Sequence, residues 1–487
     1  MAAEQLFVSV VIILVAARLL GELFQRIKQP TLVGELLAGV IVGPSILGIV
    51  KPNESLTVLS DLAVFFLMFL AGLEMNPREI RRAGKSAAVL SIIAFTLPLL
   101  AGMYAASSLF GLTTVQSLFM GLLLSITAVP VSAIVLMEFG ILKSRIGNTV
   151  ITAAVINDIF SLIVLSIIFQ ITQSSSSSSF GGSGGQINLE DLAASGIRIA
   201  AFIGGIFLVD ILFRKTSHWL PDRVAPYFEK LQTKEAAFGI LLITTISVSL
   251  VAQDIGLHFI IGTFFSGLIV YKEIIGKQNF NRVYDIISAI TFGFFAPIFF
   301  AIIGIEMNAQ SIASSIPLFL VLLAVAIVTK VGGGFAGSRL VRFSKDESLA
   351  IGFLMNGRGM VELVIASIGF AAGIIDLKLF SIAVAIGFIT TIMAPIMSRP
   401  YVDKSIDSSK RKKKKTTTTT ITTPKKAKRK RTRLFIFKEK GEEEDGRGRE
   451  QEQDYLEEQE EGIRDKGGQE GGEEEEEQGR EENTKRW

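Results

Sequence analysis

Residues 147–171 read GNTVITAAVINDIFSLIVLSIIFQI and contain a single ionisable side chain, that of Asp158. A helix needs about 20 predominantly apolar residues to cross the hydrocarbon core of a bilayer. This stretch meets that requirement, and Asp158 lies near its middle. The stretch therefore predicts a membrane-spanning α-helix, since a helix satisfies its own backbone hydrogen bonds in lipid.

The same criterion places thirteen spans in the first 400 residues of this 487-residue chain. Their approximate limits are 5–24, 31–49, 56–73, 86–108, 114–137, 147–171, 190–213, 235–252, 255–271, 283–305, 313–338, 346–373 and 376–399. We therefore predict an all-α, polytopic membrane protein with about 13 transmembrane helices. Residues 1–399 form its transmembrane domain. Residues 400–487 form a basic and then acidic tail that is too poor in apolar side chains to fold alone.

The charges of the connecting loops support this arrangement of spans. If the N-terminus is outside, nearly all loop lysines and arginines fall on the inner side, and the outer loops hold only Lys51 and Lys378. This is the positive-inside asymmetry of membrane proteins. We therefore expect a multi-pass protein of the cell membrane with its N-terminus outside and its C-terminus in the cytoplasm.

A short polar motif occurs twice in the transmembrane domain. Residues 72–76 read GLEMN and residues 304–308 read GIEMN, at an offset of 232 residues. A weaker echo pairs Gly39 with Gly267 at an offset of 228 residues. The two copies of the motif end spans that run in opposite directions, which predicts inverted repeats of the kind found in secondary transporters, with the substrate site at their interface.

Two spans carry helix-breaking residues at matching places in the repeats. The fifth contains TAVPVS at 127–132, where Pro130 removes a backbone donor. The twelfth contains NGRGMVE at 356–362, and its Gly359 follows Thr127 by 232 residues. A proline kink alone would explain the first feature. The correspondence between the two instead favours paired broken helices with a binding site between them.

Ionisable residues inside membrane spans are costly and indicate function. Asp158 is the main candidate, because one carboxylate can hold either a proton or a cation. The alternative is a structural carboxylate that bonds to a neighbouring helix. Lys330, within span eleven, is about equally suited to a structural and a transport role. Arg358 and Glu362 stand four residues apart and are expected to form a local, structural pair.

These features together resemble the monovalent cation:proton antiporter-2 family over residues 1 to about 400. The resemblance rests on five segments: QPTLVGELLAGVIVGP (29–44), GLE (72–74), Asn157-Asp158, Lys330 and NGRGMVELV (356–364). It implies a homodimer that works by elevator-like alternating access. Each protomer would have a dimerisation part (about 1–83 and 235–308), a core part (about 84–171 and 309–399) and a linker helix (190–213).

The resemblance also implies roles for individual residues. Asp158 is the carboxylate that binds the proton and the transported metal cation, Thr127 is a ligand through its backbone or hydroxyl, and Lys330 is the basic partner. Asn157 and Ser132 complete the candidate ion-binding set, and the two broken helices cross. Electrogenic relatives have two adjacent aspartates, and the first is Asn157 here, which predicts electroneutral exchange of one proton per cation.

We expect sodium, and also lithium, to be the transported cation. Potassium/proton exchange on the same fold is the alternative, and a cation channel is a less favoured one. The chain has no cysteine and two histidines, so we expect neither an enzyme nor a resident cofactor. We expect no nucleotide-binding regulatory domain in the tail. Its lysines suit anionic membrane lipids, nucleic-acid binding is not expected, and a merely solvated tail is the favoured interpretation.

Overall fold

The computed structural model describes residues 2–75, 84–177, 204–205, 236–255, 257–269 and 277–421. Within these ranges the chain is helical and contains no β-strand. Backbone contacts divide the chain into a large unit, Met1–Ser409, and a second unit, Lys410–Trp487. Apart from residues 410–421, everything described below belongs to the first unit.

The helices of the first repeat precede residue 178. They are α1 (Ala2–Arg26), α2 (Thr31–Val42), α3 (Glu54–Glu74), α4 (Gly84–Tyr104) with a π-helical turn at Ala105–Leu109, α5 (Thr114–Ser125), α6 (Val129–Glu138) and α7 (Arg145–Ser177). The fifth predicted span is thus two helices, α5 and α6, separated by the extended residues 126–128.

The second group of helices begins at residue 236. They are α8 (Ala236–Asp254), α9 (Phe259–Ile269), α10 (Lys277–Ile290) with a π-helical turn at Thr291–Phe295, α11 (Ala296–Glu306), α12 (Ala309–Ala313), α13 (Ile316–Leu340), α14 (Lys345–Leu354), α15 (Met360–Ala371) and α16 (Leu377–Ile421). The twelfth predicted span is likewise divided, into α14 and α15.

The prediction of an all-α membrane fold is confirmed. Nine helical segments in the described part of the chain are long and apolar enough to cross a membrane, if α5 with α6 and α10 with α11 are each counted as one segment; α2, α9 and α15 are shorter apolar helices. Twelve of the thirteen predicted spans coincide with these helices or with a helix pair. The seventh, 190–213, lies outside the described residues except for 204–205. Helix α16 continues to Ile421, into the segment expected to form the tail.

Four glycines bring the two repeats together. Gly39 of α2 packs against Gly304 of α11, and Gly72 of α3 packs against Gly267 of α9. A Cβ built on Gly304 would lie 3.0 Å from the Cα of Gly39, and one built on Gly72 would lie 2.9 Å from the Cα of Gly267. Real side chains do not fit at these distances, so glycine is required by the close approach of the helices. The glycines that recur in sequence therefore form two equivalent contacts between the repeats.

Both broken helices begin with the same capping arrangement. The hydroxyl of Thr113 accepts from the backbone of Gln116 at 3.3 Å, and the Gln116 side chain accepts from the backbone of Thr113 at 3.2 Å. Ser344 and Glu347 repeat this reciprocal pair at the start of α14. Such capping boxes satisfy the free donors of a first helical turn. They set where α5 and α14 begin, and so how far along each helix the break falls.

Candidate cation and proton site

The two broken helices cross at their breaks and are bonded to each other there. The backbone N–H of Ala128 donates to the carbonyl of Gly357 at 2.8 Å. The Thr127 hydroxyl donates to the carbonyl of Met355 at 3.2 Å, and the Ser132 hydroxyl donates to the carbonyl of Leu354 at 2.8 Å. Backbone groups that the breaks remove from helical pairing are thus satisfied by the partner break, as a membrane interior requires.

The last carbonyls of α5 receive two cationic side chains from the second repeat. Arg358 donates to the carbonyls of Leu123 at 2.7 Å and Leu124 at 3.0 Å. Lys330 donates to the carbonyl of Ser125 and, at 3.1 Å, to that of Ala94 in α4. The final carbonyls of a helix have no partner in their own helix and carry its negative dipole end. Lys330 and Arg358 supply both the missing donors and compensating charge.

Arg358 also pairs with Glu362, one turn further along α15. Its Nη1 lies 2.7 Å from Glu362 Oε1, and both side chains are almost completely buried. The spacing of four residues allowed this pair to be expected from the sequence. Only the folded structure shows that the same guanidinium also holds the end of α5. The pair therefore belongs to the framework that carries the crossing.

Asn157 joins three helical segments through its side-chain amide. Its Oδ1 accepts from the Ser91 hydroxyl of α4 at 2.5 Å, and its Nδ2 donates to Thr127 Oγ1 at 3.1 Å. All three side chains are fully buried. Ser91 was not predicted from the sequence, where a single serine in an apolar helix carries no signal of function.

Asp158 is the next residue and has a different environment. It lines a cavity of about 90 Å³. The residue is only 4% exposed, and its buried Oδ1 has no hydrogen-bond partner. The walls come from α3, α7 and the two breaks; the lining residues are Ala71, Glu74, Met75, Ile126, Thr127, Ala128, Val129, Pro130, Ile151, Thr152, Val155, Asp158, Gly359, Met360 and Val361. This volume holds a cation with a few water molecules.

The structure brings some of the predicted site residues to this cavity and not others. Asp158 and Thr127 line it. Asn157 and Ser132 lie behind it, with their polar atoms bonded to the helix breaks. The Lys330 ammonium group donates to the backbone carbonyls of Ala94 and Ser125. Within the described residues, no group of three histidine, aspartate or glutamate side chains is placed to hold a metal ion.

Residues 10–404 match the family described as sodium/hydrogen exchanger, transmembrane. The chain belongs to this family. This exchanger is 31% identical over 377 residues to the probable Na(+)/H(+) antiporter GerT of Bacillus cereus, an alignment that covers 77% of this chain and 93% of the relative. It is 29% identical over 414 residues to the Na(+)/H(+)-K(+) antiporter GerN of the same species, covering 83% of this chain and 99% of the relative.

The fold of this exchanger is also similar to that of a solved structure. The sodium proton antiporter MjNhaP1 from Methanocaldococcus jannaschii, determined at pH 8, superposes with a TM-score of 0.62 at 16% identity, covering 82% of this chain and 98% of that chain. The likeness concerns the fold. Membership of the family makes the protein an integral membrane antiporter that exchanges a monovalent cation for protons.

Proposed function

We propose that Asp158 is the group that carries both substrates of this exchanger, binding sodium (or lithium) and a proton in turn. One observation carries the proposal: Asp158 lines a cavity at the crossing of two broken helices, and its buried Oδ1 has no hydrogen-bond partner. A buried polar group without a partner is costly. A bound cation or proton relieves that cost in a way that the surrounding apolar residues do not.

The cavity walls supply the rest of a cation site. Thr127 lines the same cavity as Asp158, and in this proposal it contributes oxygen from its side chain or backbone. Hard monovalent cations are held by carboxylate, hydroxyl and carbonyl oxygens, and broken transporter helices characteristically provide the last of these. Cation entry displaces the proton from Asp158, and protonation displaces the cation. Each cycle therefore moves the two in opposite directions.

The position of the cavity favours alternating access by relative movement of two parts of the protomer. Ala71 and Glu74 lie in α3 and Met75 directly follows it, in the expected dimerisation part, whereas the remaining lining residues belong to the expected core part. A slide of one part along the other opens the site to one side and closes it to the other. Glu74 lies at the end of α3 that is expected to be cytoplasmic.

The exchange is electroneutral in this proposal. Asn157 carries no charge, and its amide is engaged by Ser91 and Thr127. Lys330 is engaged by the carbonyls of Ala94 and Ser125, so it holds helix ends together and does not exchange protons with the site. Asp158 then remains as the one group that alternates between proton and cation.

We also propose an oligomeric state, a location and a membrane orientation for the protein. The protein acts as a homodimer in the cell membrane, with its N-terminus outside and its C-terminus in the cytoplasm. It needs no resident cofactor and performs no chemical conversion. Potassium is the second candidate substrate, since one relative that aligns over 99% of its length is named for potassium as well as sodium.

Cation-induced collapse of a pH gradient in everted membrane vesicles tests the proposal. Sodium, lithium and potassium are added separately to vesicles that hold the wild type, Asp158→Asn or Asp254→Asn. Asp254 is an exposed aspartate at the end of α8 and provides a matched control. We expect exchange with sodium and lithium for the wild type and the control, and none for Asp158→Asn at equal membrane levels. Exchange by Asp158→Asn would refute the assignment of this carboxylate.

A further inference from the structure

Ser91, Asn157 and Thr127 form a directed chain of hydrogen bonds that ends on the second broken helix. Ser91 donates to Asn157 Oδ1 at 2.5 Å, Asn157 Nδ2 donates to Thr127 Oγ1 at 3.1 Å, and Thr127 donates to the carbonyl of Met355 at 3.2 Å. The chain therefore runs from α4 through α7 and the first break to the second break. Each member donates to the next, and the three side chains are 0% exposed.

Ser91 differs from three other buried helical serines of this region, Ser125, Ser161 and Ser166. The hydroxyls of Ser125, Ser161 and Ser166 donate to the carbonyl four residues earlier in their own helix. That is the usual arrangement for a serine within a helix, and it leaves the hydroxyl no role outside the helix. The hydroxyl of Ser91 instead donates to a side chain 66 positions away in sequence.

The orientation of the Asn157 amide depends on this donor. An amide has an acceptor end and a donor end. With its acceptor end towards Ser91, the donor end faces Thr127, whose hydroxyl is then free to donate to Met355. If the amide turned over, Thr127 would have to donate to Asn157, and the Met355 carbonyl would lose its donor. The observed orientation thus keeps the bond between Thr127 and Met355, which the reverse orientation would break.

We propose that Ser91 is a positioning residue for cation exchange, which it serves by fixing the Asn157 amide and, through it, the Thr127 hydroxyl at the wall of the Asp158 cavity. The inference rests on the proposed function of Asp158 and adds a residue that does not line the cavity. Ser91 touches neither cation nor proton. It determines which way the Thr127 hydroxyl donates.

Loss of the Ser91 hydroxyl removes the preference for one amide orientation. One intramolecular hydrogen bond is worth about 1 kcal/mol, so Ser91→Ala should raise the sodium KM about fivefold by that magnitude. The maximal rate should stay near that of the wild type, because Asp158 and both helix breaks remain in place. Ser91→Thr retains a hydroxyl and should restore most of the affinity.

The test measures sodium KM, maximal rate and melting temperature in proteoliposomes for Ser91→Ala, Ser91→Thr, Thr127→Val and the double variant Ser91→Ala/Thr127→Val. Ser166→Ala is the matched control, because it deletes an equally buried hydroxyl that bonds only within α7. We expect its KM to equal that of the wild type. We also expect the double variant to have the KM of Thr127→Val alone, since Ser91 acts through Thr127 and coupled positions are non-additive.

Three outcomes would overturn the inference: an unchanged KM for Ser91→Ala, an equal rise in KM for Ser166→Ala, or full additivity in the double variant. If Thr127→Val does not transport, the comparison of Ser91→Ala with Ser166→Ala decides. Asp158→Asn is measured beside them. Exchange by that variant would refute the proposed function, whereas a silent Asp158→Asn with a wild-type KM for Ser91→Ala would refute the role of Ser91 alone.

Discussion

Arg358 and Glu362 form a buried ion pair whose cation also closes the end of another helix. The two charged atoms lie 2.7 Å apart, and the same guanidinium donates to the carbonyls of Leu123 and Leu124. A buried ion pair by itself contributes little to stability, since the cost of removing two charges from water offsets their attraction. Here the Arg358 guanidinium also donates to carbonyls that a broken helix leaves free. This second role explains why the pair is buried in the membrane domain.

Replacement of Arg358 by Met should destabilise the protein strongly. It leaves the Glu362 carboxylate without its partner and two carbonyls without donors, and removal of one member of a buried pair costs about 3–5 kcal/mol. The melting temperature in detergent measures the loss. Arg358→Met/Glu362→Gln should melt above Arg358→Met alone, because a neutral amide is less costly to bury than an unpaired carboxylate. A double variant that melts below the single variant would contradict this coupling.

Gly357→Ala should separate the crossed helices and abolish exchange. A Cβ at this position would lie 2.8 Å from Cγ1 of Val131, and the carbonyl of Gly357 accepts the bond from Ala128 that joins the two breaks. Overpacking of this kind costs about 1–3 kcal/mol. Val131→Ala removes the obstructing methyl group, so the double variant should regain part of the exchange rate measured in vesicles.

The matched control for this prediction is Gly332→Ala in α13. A Cβ there meets no atom within 4 Å, and alanine favours a helix more than glycine does. We expect normal exchange and an unchanged or slightly higher melting temperature. Equal losses from Gly332→Ala and Gly357→Ala would mean that helix flexibility, and not the contact with Val131, explains the effect.

Protons should compete with sodium for the same carboxylate. As the pH falls, a larger fraction of Asp158 is protonated, so the sodium KM should rise by up to about tenfold per pH unit while the maximal rate stays constant. Initial rates at several sodium concentrations and at equal pH on both sides of a proteoliposome membrane measure this dependence. A KM that does not change with pH, together with a falling maximal rate, would indicate separate proton and cation sites.

Exchange should be insensitive to membrane voltage. Asn157 cannot release a proton, and the Lys330 ammonium group is held by carbonyls, so one proton replaces one monovalent cation at Asp158. Potassium gradients with valinomycin impose a voltage of either sign on proteoliposomes. We expect equal sodium-driven rates at both signs, and a net current during exchange would contradict the one-to-one stoichiometry.

Much of the fold could be predicted from the sequence, because it follows from local sequence patterns such as apolar stretches and repeated motifs. Apolar stretches of sufficient length predicted the helices, and the GLEMN and GIEMN motifs predicted two related halves. The breaks at 126–128 and 355–359 were expected from Pro130 and from the glycines of span twelve. The glycine contacts were not, because a repeated glycine does not reveal that Gly39 packs on Gly304 and Gly72 on Gly267.

The residues of the candidate site also differ in whether the sequence indicated them. Asp158 stood out in the sequence because a carboxylate in an apolar helix is costly wherever that helix packs. The hydrogen-bonding partners of Lys330 did not stand out, since they are backbone carbonyls, which every residue possesses. Ser91 also carried no signal, because serine is common in membrane helices and its partner Asn157 is distant in the chain.

The sequence alone determined that this chain is a polytopic helical membrane protein with two related halves, two interrupted helices and one carboxylate in the middle of span six. Those properties depend on the free energy of each segment in the lipid bilayer, and that free energy is determined by the residues of the segment itself. Only the tertiary structure decided that the interruptions cross, that Asp158 faces a cavity while Asn157 faces away from it, and that Lys330 and Arg358 close α5. Those properties depend on which helices meet, and no single segment contains that information.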